Sequence, residues 1–261
     1  MPEPRAPSSG VPHESEPLLA TDGEASTAHG GGAAHDPDDG KQGALALVGR
    51  NVTSGGVVKM AQVGLLMLAL PVWIFTLANP AGLFTPHPLL QSAGVVTLFN
   101  GILLLQPTRT STAKRVGLQA HQLFQALGLL SIAAGAIVIF YNKAIHGAKH
   151  FTTWHARFGL ATLSIMILQA ILGALVAYPA TQRLFGSTAK AKALWKWHRL
   201  SGYLLVLLMS LTVCLAISDA DWVQQHSSFQ ERTTANVGLF LATVAVVGRV
   251  SPSKLPGRRS A

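Results

Sequence analysis

Residues 152–178 read TTWHARFGLATLSIMILQAILGALVAY. Arg157 is the only formally charged side chain in the stretch. About 20 such residues in a helix cross the roughly 30 Å of hydrocarbon in a bilayer. Apolar residues do not alternate with polar ones, which excludes a strand of a transmembrane barrel. Backbone amides in lipid must pair within their own segment, so a run of this kind becomes a helix. It also carries one imidazole, His155, close to its N-terminal end.

Five comparable runs surround it: Ala61–Asn79, Pro86–Gln106, Val116–Tyr141, Leu194–Ile217 and Thr233–Val250. Gly and Pro punctuate the connections at Asn79-Pro80, Gln106-Pro107 and Tyr178-Pro179. The chain is 49% hydrophobic and 12% charged, against roughly a quarter charged for a soluble domain. The reading is an all-α membrane protein with six transmembrane helices over residues 61–250. Helices two to five are expected to form a four-helix bundle.

Residues 1–43 hold eight of the eleven acidic side chains and are rich in Pro, Gly and Ser. They have too little apolar surface to offset ordering entropy and are expected to form a disordered cytosolic tail. Residues 44–60 are expected to be an interfacial segment, and residues 251–261 a cytosolic C-terminal tail. No short apolar stretch follows Met1, so insertion is expected to rely on the first span. The tail includes Glu14-Ser15-Glu16-Pro17-Leu18-Leu19, which resembles an acidic dileucine signal and favours a vacuole or lysosome-like membrane over the plasma membrane. The lone Cys214 excludes an internal disulfide framework.

Beyond the tail the chain carries 18 basic and three acidic side chains. Such a balance in a soluble protein would suggest nucleic acid. Here the cations sit in short loops between apolar runs, where they meet anionic headgroups. The face of the N-terminus collects 13 of them, including Arg50, Lys59, Arg109, Arg183 and Arg249, and with Lys41 of the tail makes 14, while the other face has Lys143, Lys149 and Arg232. The positive-inside rule then places both termini in the cytosol. The Asn51-Val52-Thr53 sequon would face the cytosol and stay unused.

Four histidines stand near the N-terminal ends of the four middle runs: His87, His121, His155 and His198. Successive helices alternate in direction. His87 and His155 therefore share the level of the non-cytosolic face, and His121 and His198 that of the cytosolic face. Two imidazoles can fill both axial positions of a haem iron, giving an electron carrier without an open site. A porphyrin plate fits between bundle helices. Two such layers would lie roughly 20 Å apart, given a 30 Å span less about one turn at each end. Zinc or copper is the competing ligand, but such sites usually recruit Cys or carboxylate as well, and the runs hold no Asp or Glu at these levels.

Cations flank both layers. Lys114 and Arg115 precede His121 by about two turns, and Lys192, Lys196 and Arg199 flank His198. These could clamp haem propionates and a reducing anion by charge-assisted bonds. On the other face Lys149, His150 and Arg157 surround His155, with His146 nearby. Arg157 is expected to pair with a propionate, and Lys149 with His150 to meet the substrate of that face. Solvated loop residues and orientation charges are the plainer reading of each residue taken singly.

The chain resembles the cytochrome b561 family, in its short transmembrane reductase branch. The likeness rests on His87-Pro88, on Asn142-Lys143 followed by Gly147-Ala148-Lys149-His150-Phe151-Thr152-Thr153-Trp154-His155, and on His198-Arg199-Leu200-Ser201-Gly202-Tyr203. It covers about residues 57–250. The resemblance implies two b-type haems held by His87/His155 and His121/His198. It also implies cytosolic ascorbate as donor, monodehydroascorbate or a ferric chelate as acceptor, and a homodimer. Where ascorbate-matched members often have Tyr-Ser-Leu-His, this chain has Thr152-Thr153-Trp154-His155, which leaves the ligand in place. Two other classes compete: a non-enzymatic haem relay subunit, and a transporter using the histidines for protons or metal. The latter would favour polar residues deep in the helices, where Gln and Asn are merely scattered, at Gln91, Asn100, Gln125 and Gln169.

Overall fold

The protein is described by a computed structural model at residues 43, 45–46, 49–106, 111–182, 186, 188–251 and 255–256. The acidic tail with its dileucine-like motif lies outside these residues, as do Arg109, Arg183 and most of the C-terminal segment. Six long helices occur among the described residues: α1 Gly56–Ala78, α2 Pro86–Leu105, α3 Ser111–Ile145, α4 Trp154–Ala177, α5 Thr188–Asp219 and α6 Phe229–Gly248. Short turns occupy Gly82–Phe84, Pro179–Gln182 and Asp221–His226, and no strand occurs among the described residues.

Five of the long helices are apolar and long enough to cross a membrane; α6 falls short. Its 20 residues open on Phe229 followed by Gln230, Glu231 and Arg232, polar side chains that dilute the apolar run beyond them. Its start is nevertheless sharply defined. Ser228 accepts from the Glu231 amide while the Glu231 carboxylate accepts from the Ser228 amide, a reciprocal capping box. Thr153 caps α4 with its side chain alone, accepting from the Ala156 amide, and α2 opens on Pro86, whose missing amide proton is not needed there.

Three helices extend further than their apolar runs. α1 begins at Gly56 rather than Ala61, within the segment expected to be interfacial. α3 begins at Ser111 and α5 at Thr188, so Lys114, Arg115, Lys192 and Lys196 stand on helical overhangs rather than in loops. Lys and Arg are good helix formers, and no Pro or Gly interrupts residues 188–201. Leaving the lipid therefore does not end the helix.

The helices associate as three close pairs, α2 with α3, α4 with α5, and α1 with α6. Glycine sets the α1–α6 contact. A Cβ on Gly64 would lie 2.5 Å from the Gly238 carbonyl oxygen, and one on Gly238 equally close to that of Gly64. Backbones meet here without side chains between them, the usual way helices associate where lipid removes the hydrophobic drive. A shared core of Leu65, Phe99, Leu103, Val206, Met209 and Val246 joins α1, α2, α5 and α6. Side-chain hydrogen bonds tie the pairs together: Trp73 to Ser92 (2.8 Å), Gln62 to Asn100 (2.7 Å) and Ser210 to Thr243 (2.8 Å).

Candidate functional site: two layers of paired imidazoles

The α2–α3 pair is built on an internal repeat. His87, Gln91, Gly94 and Gly101 on α2 match His121, Gln125, Gly128 and Gly135 on α3 at identical spacings. The contacts repeat with the sequence. His87 Nδ1 lies 2.9 Å from the Gly135 carbonyl oxygen, and His121 Nδ1 lies 2.9 Å from that of Gly101. Gln91 Nε2 donates to Ile132 O at 2.9 Å, and Gln125 Nε2 to Leu98 O at 3.0 Å. The glycines make room for these amides: a Cβ on Gly135 would meet Gln91 Nε2, and one on Gly101 would meet Gln125 Nε2, each at 2.7 Å. The hairpin is thus an inverted repeat about an axis in the membrane plane.

The α4–α5 pair follows the same rule less completely. His155 Nδ1 lies 3.0 Å from the Thr212 carbonyl oxygen, fourteen residues beyond His198. Gln169, fourteen residues beyond His155, turns its side chain instead to the His198 carbonyl oxygen (2.6 Å) and takes a hydrogen bond from Ser201 (2.8 Å). His198 Nδ1 is buried without a hydrogen-bond partner. Gly173 lies under the ring: a Cβ there would be 2.8 Å from His198 Cε1.

A carbonyl oxygen only accepts, so each of the three Nδ1 atoms bonded to one must carry the proton. That fixes His87, His121 and His155 in the tautomer whose Nε2 lone pair is free, the form that binds metals. One pair of rings meets across the helix pairs: His87 and His155 have centroids 6.2 Å apart at an interplanar angle of 74°. Two imidazoles bound from opposite sides to one metal ion, at about 2 Å each, have centroids roughly 6 Å apart. From His87 to Gly101, whose carbonyl marks the His121 level, α2 rises about 21 Å. All four rings are half-buried. Among the described residues no three His, Cys, Asp or Glu side chains converge, whereas a structural zinc site usually takes four ligands. A two-imidazole layer fits a haem, which needs only the axial pair from protein.

The flanking cations are placed less simply. Lys114 and Arg115 are half-buried on the α3 overhang, Lys196 is exposed on that of α5, and the Lys192 side chain lies outside the described set. Arg157 is exposed. Its Nε donates to Phe151 O at 3.1 Å, and its guanidinium lies 5.1 Å from the Trp154 ring centroid. Lys149 contributes its carbonyl, which accepts from Lys143 Nζ at 3.1 Å. His150 is exposed and stacks on Phe140, with centroids 5.1 Å apart. Phe151, at φ 54, holds a left-handed conformation that costs a non-glycine residue about 1 kcal/mol or more. His146 is bonded at Nδ1 to Asn142 O (2.7 Å).

Not anticipated from sequence is an aromatic plug beside His87. Phe84 packs on His87 (5.9 Å) and on Trp222 (4.9 Å), and Trp222 stacks on His226 (4.8 Å). The periodicity gave no signal for it, because Phe84 comes from the α1–α2 connection and Trp222 and His226 from the α5–α6 connection.

A bundle that spans the bilayer and sets imidazoles in two layers defines the class of transmembrane haem-dependent electron-transfer proteins. Residues 86–224 match the family description of eukaryotic cytochrome b561, a stretch that includes all four histidines and more than half of the chain. The chain belongs to that family, whose members are multi-pass membrane oxidoreductases binding b-type haem. No individual curated protein matches the chain.

Proposed function

We propose that the protein binds two b-type haems, one between His87 and His155 and one between His121 and His198. With them it would carry electrons from ascorbate on the N-terminal face to monodehydroascorbate or a ferric chelate on the other. The observation that carries this reading is the pairing of the rings, with three Nδ1 atoms tied to main-chain carbonyls and the opposite nitrogens free. Haem, when bound, supplies the one-electron chemistry. The protein holds the rings in one tautomer and one orientation, so their nitrogens need no rearrangement to bind. Gly173 and the small residues between helices leave space that larger side chains would fill.

Lys114, Arg115, Lys192 and Lys196 give the N-terminal face a cationic rim suited to propionates and to an ascorbate anion. Lys149 and His150, exposed on the other face, are placed to meet an anionic acceptor or chelate. Arg157, with Nε engaged by Phe151, retains its two terminal nitrogens for a propionate. In this reading α6 is the sixth span, supported by its glycine contact with α1, and both termini face the cytosol.

The test is the purified protein in liposomes. Dithionite should give the sharp reduced spectrum of bis-imidazole haem at two haems per chain. Ascorbate on the N-terminal face should reduce an enclosed ferric chelate. A protein that takes up haem but passes no electron to the chelate without a partner would be a relay subunit instead.

A further inference from the structure

Lys59, Val63 and Leu66 stand at positions i, i+4 and i+7 of α1 and share one face of it. All three are exposed, Val63 at 50% and Leu66 at 57%. They line an open groove of about 580 Å³ that also takes in Val52 and the side chain of Asn100 from α2. Its floor is polar. Gln62 Nε2 donates to Asn100 Oδ1 at 2.7 Å and to Val52 O at 3.1 Å, and Asn100 Nδ2 donates to Val96 O. Both amide protons of Gln62 are thereby used, which leaves its side-chain oxygen as an acceptor.

The groove is ordered along the membrane normal. Lys59 lies in the first turn of α1. Gln62 and Asn100 come next, and Val63 and Leu66 follow inward, Leu66 about 10 Å deeper than Lys59. Charge and then apolar wall succeed one another in the order of phosphate and acyl chain in a phospholipid. No Asp or Glu occurs between residues 40 and 218, so the membrane body offers Lys59 no carboxylate partner on this face. Basic pockets between spanning helices are where acidic headgroups bind.

We propose that this groove binds one anionic phospholipid of the surrounding bilayer, with its phosphate on Lys59 and an acyl chain along Val63 and Leu66. A zwitterionic choline lipid would set a second cation beside Lys59 and bind less well. The site is independent of the haem reading and needs only that α1 lie in the membrane.

The full-length protein with its cofactors, reconstituted in phosphatidylcholine bilayers, would be probed with trace spin-labelled phosphatidylserine or phosphatidylcholine. The motionally restricted fraction should favour phosphatidylserine by roughly five-fold, the worth of one lysine at a membrane surface. Lys59→Ala should bring the ratio close to one. Val63→Trp, which fills the groove without touching the charge, should reduce the restricted component for both lipids. Unchanged circular dichroism and haem spectra would show that these variants fold. Equal retention of the two lipids by the native protein would overturn the site. So would a preference that survives both substitutions, which would place the anionic lipid elsewhere.

Discussion

The imidazoles of His87 and His155 come from helices separated by a third, yet their centroids lie 6.2 Å apart and their planes cross at 74°. Each is held from behind by a main-chain oxygen, that of Gly135 for one ring and of Thr212 for the other. A layer built this way is a unit, and losing either ring loses the pair.

His87→Ala and His155→Ala should therefore each abolish the same half of the reduced haem absorbance, and the double variant should lose no more. His121→Ala and His198→Ala should remove the other half. Difference spectra of the purified variants with quantified haem decide it. Additive losses within one layer would separate the rings and end the pairing.

The two layers should also differ in potential. A carbonyl accepting from Nδ1–H makes the imidazole a stronger donor and favours the oxidised metal. Both rings of the His87/His155 layer have such a bond, whereas in the other layer His198 Nδ1 has none. The His121/His198 haem should be the easier to reduce. Potentiometric titration, with the layers assigned from the alanine variants, tests the order, and the reverse order would refute the argument.

Glycine substitutions should separate close crossings from open ones. At Gly64 a Cβ would lie 2.5 Å from Gly238 O and 2.7 Å from Ala242 N, main-chain atoms that cannot move aside. Gly64→Ala should cost about 1–3 kcal/mol. At Gly159 the nearest atom is Thr212 Cγ2 at 3.8 Å, so Gly159→Ala should be neutral or stabilising by up to about 1 kcal/mol through helix propensity. Thermal unfolding in detergent, read as haem loss and helicity, compares the two.

Orientation has its own test. Asn51 Nδ2 donates to Leu104 O at 2.8 Å, so the sequon amide is engaged within the fold. Asn51 should remain unglycosylated in a eukaryotic host, as a cytosolic position requires. In a Cys214→Ala background, Gln225→Cys should be labelled by an impermeant maleimide from the face opposite the N-terminus. Labelling from the N-terminal face would invert the topology.

The bilayer is a severe solvent, and it made the gross architecture legible. Uncharged runs must be helices, and helix order alone leads one to expect His87 at the level of His155 and His121 at that of His198. The overhangs at Ser111 and Thr188 were not legible, because hydropathy reports where lipid ends and not where a helix does. The carbonyl partners of the histidines were hidden for another reason: which oxygen faces a ring depends on how close two backbones come. A signal did exist in the recurrence of His, Gln, Gly and Gly at equal spacing in α2 and α3. Arg157 shows the limit for long side chains, since nothing in the sequence directs it to Phe151 O and the Trp154 face rather than inward.

The α2–α3 hairpin can be turned end over end and still present the same bonds to the same kinds of atom. A hairpin that reads alike from both ends has little polarity of its own. Any sidedness between the two layers then originates in the α4–α5 pair, where His155 has a main-chain partner and His198 has none, and in the unlike rims.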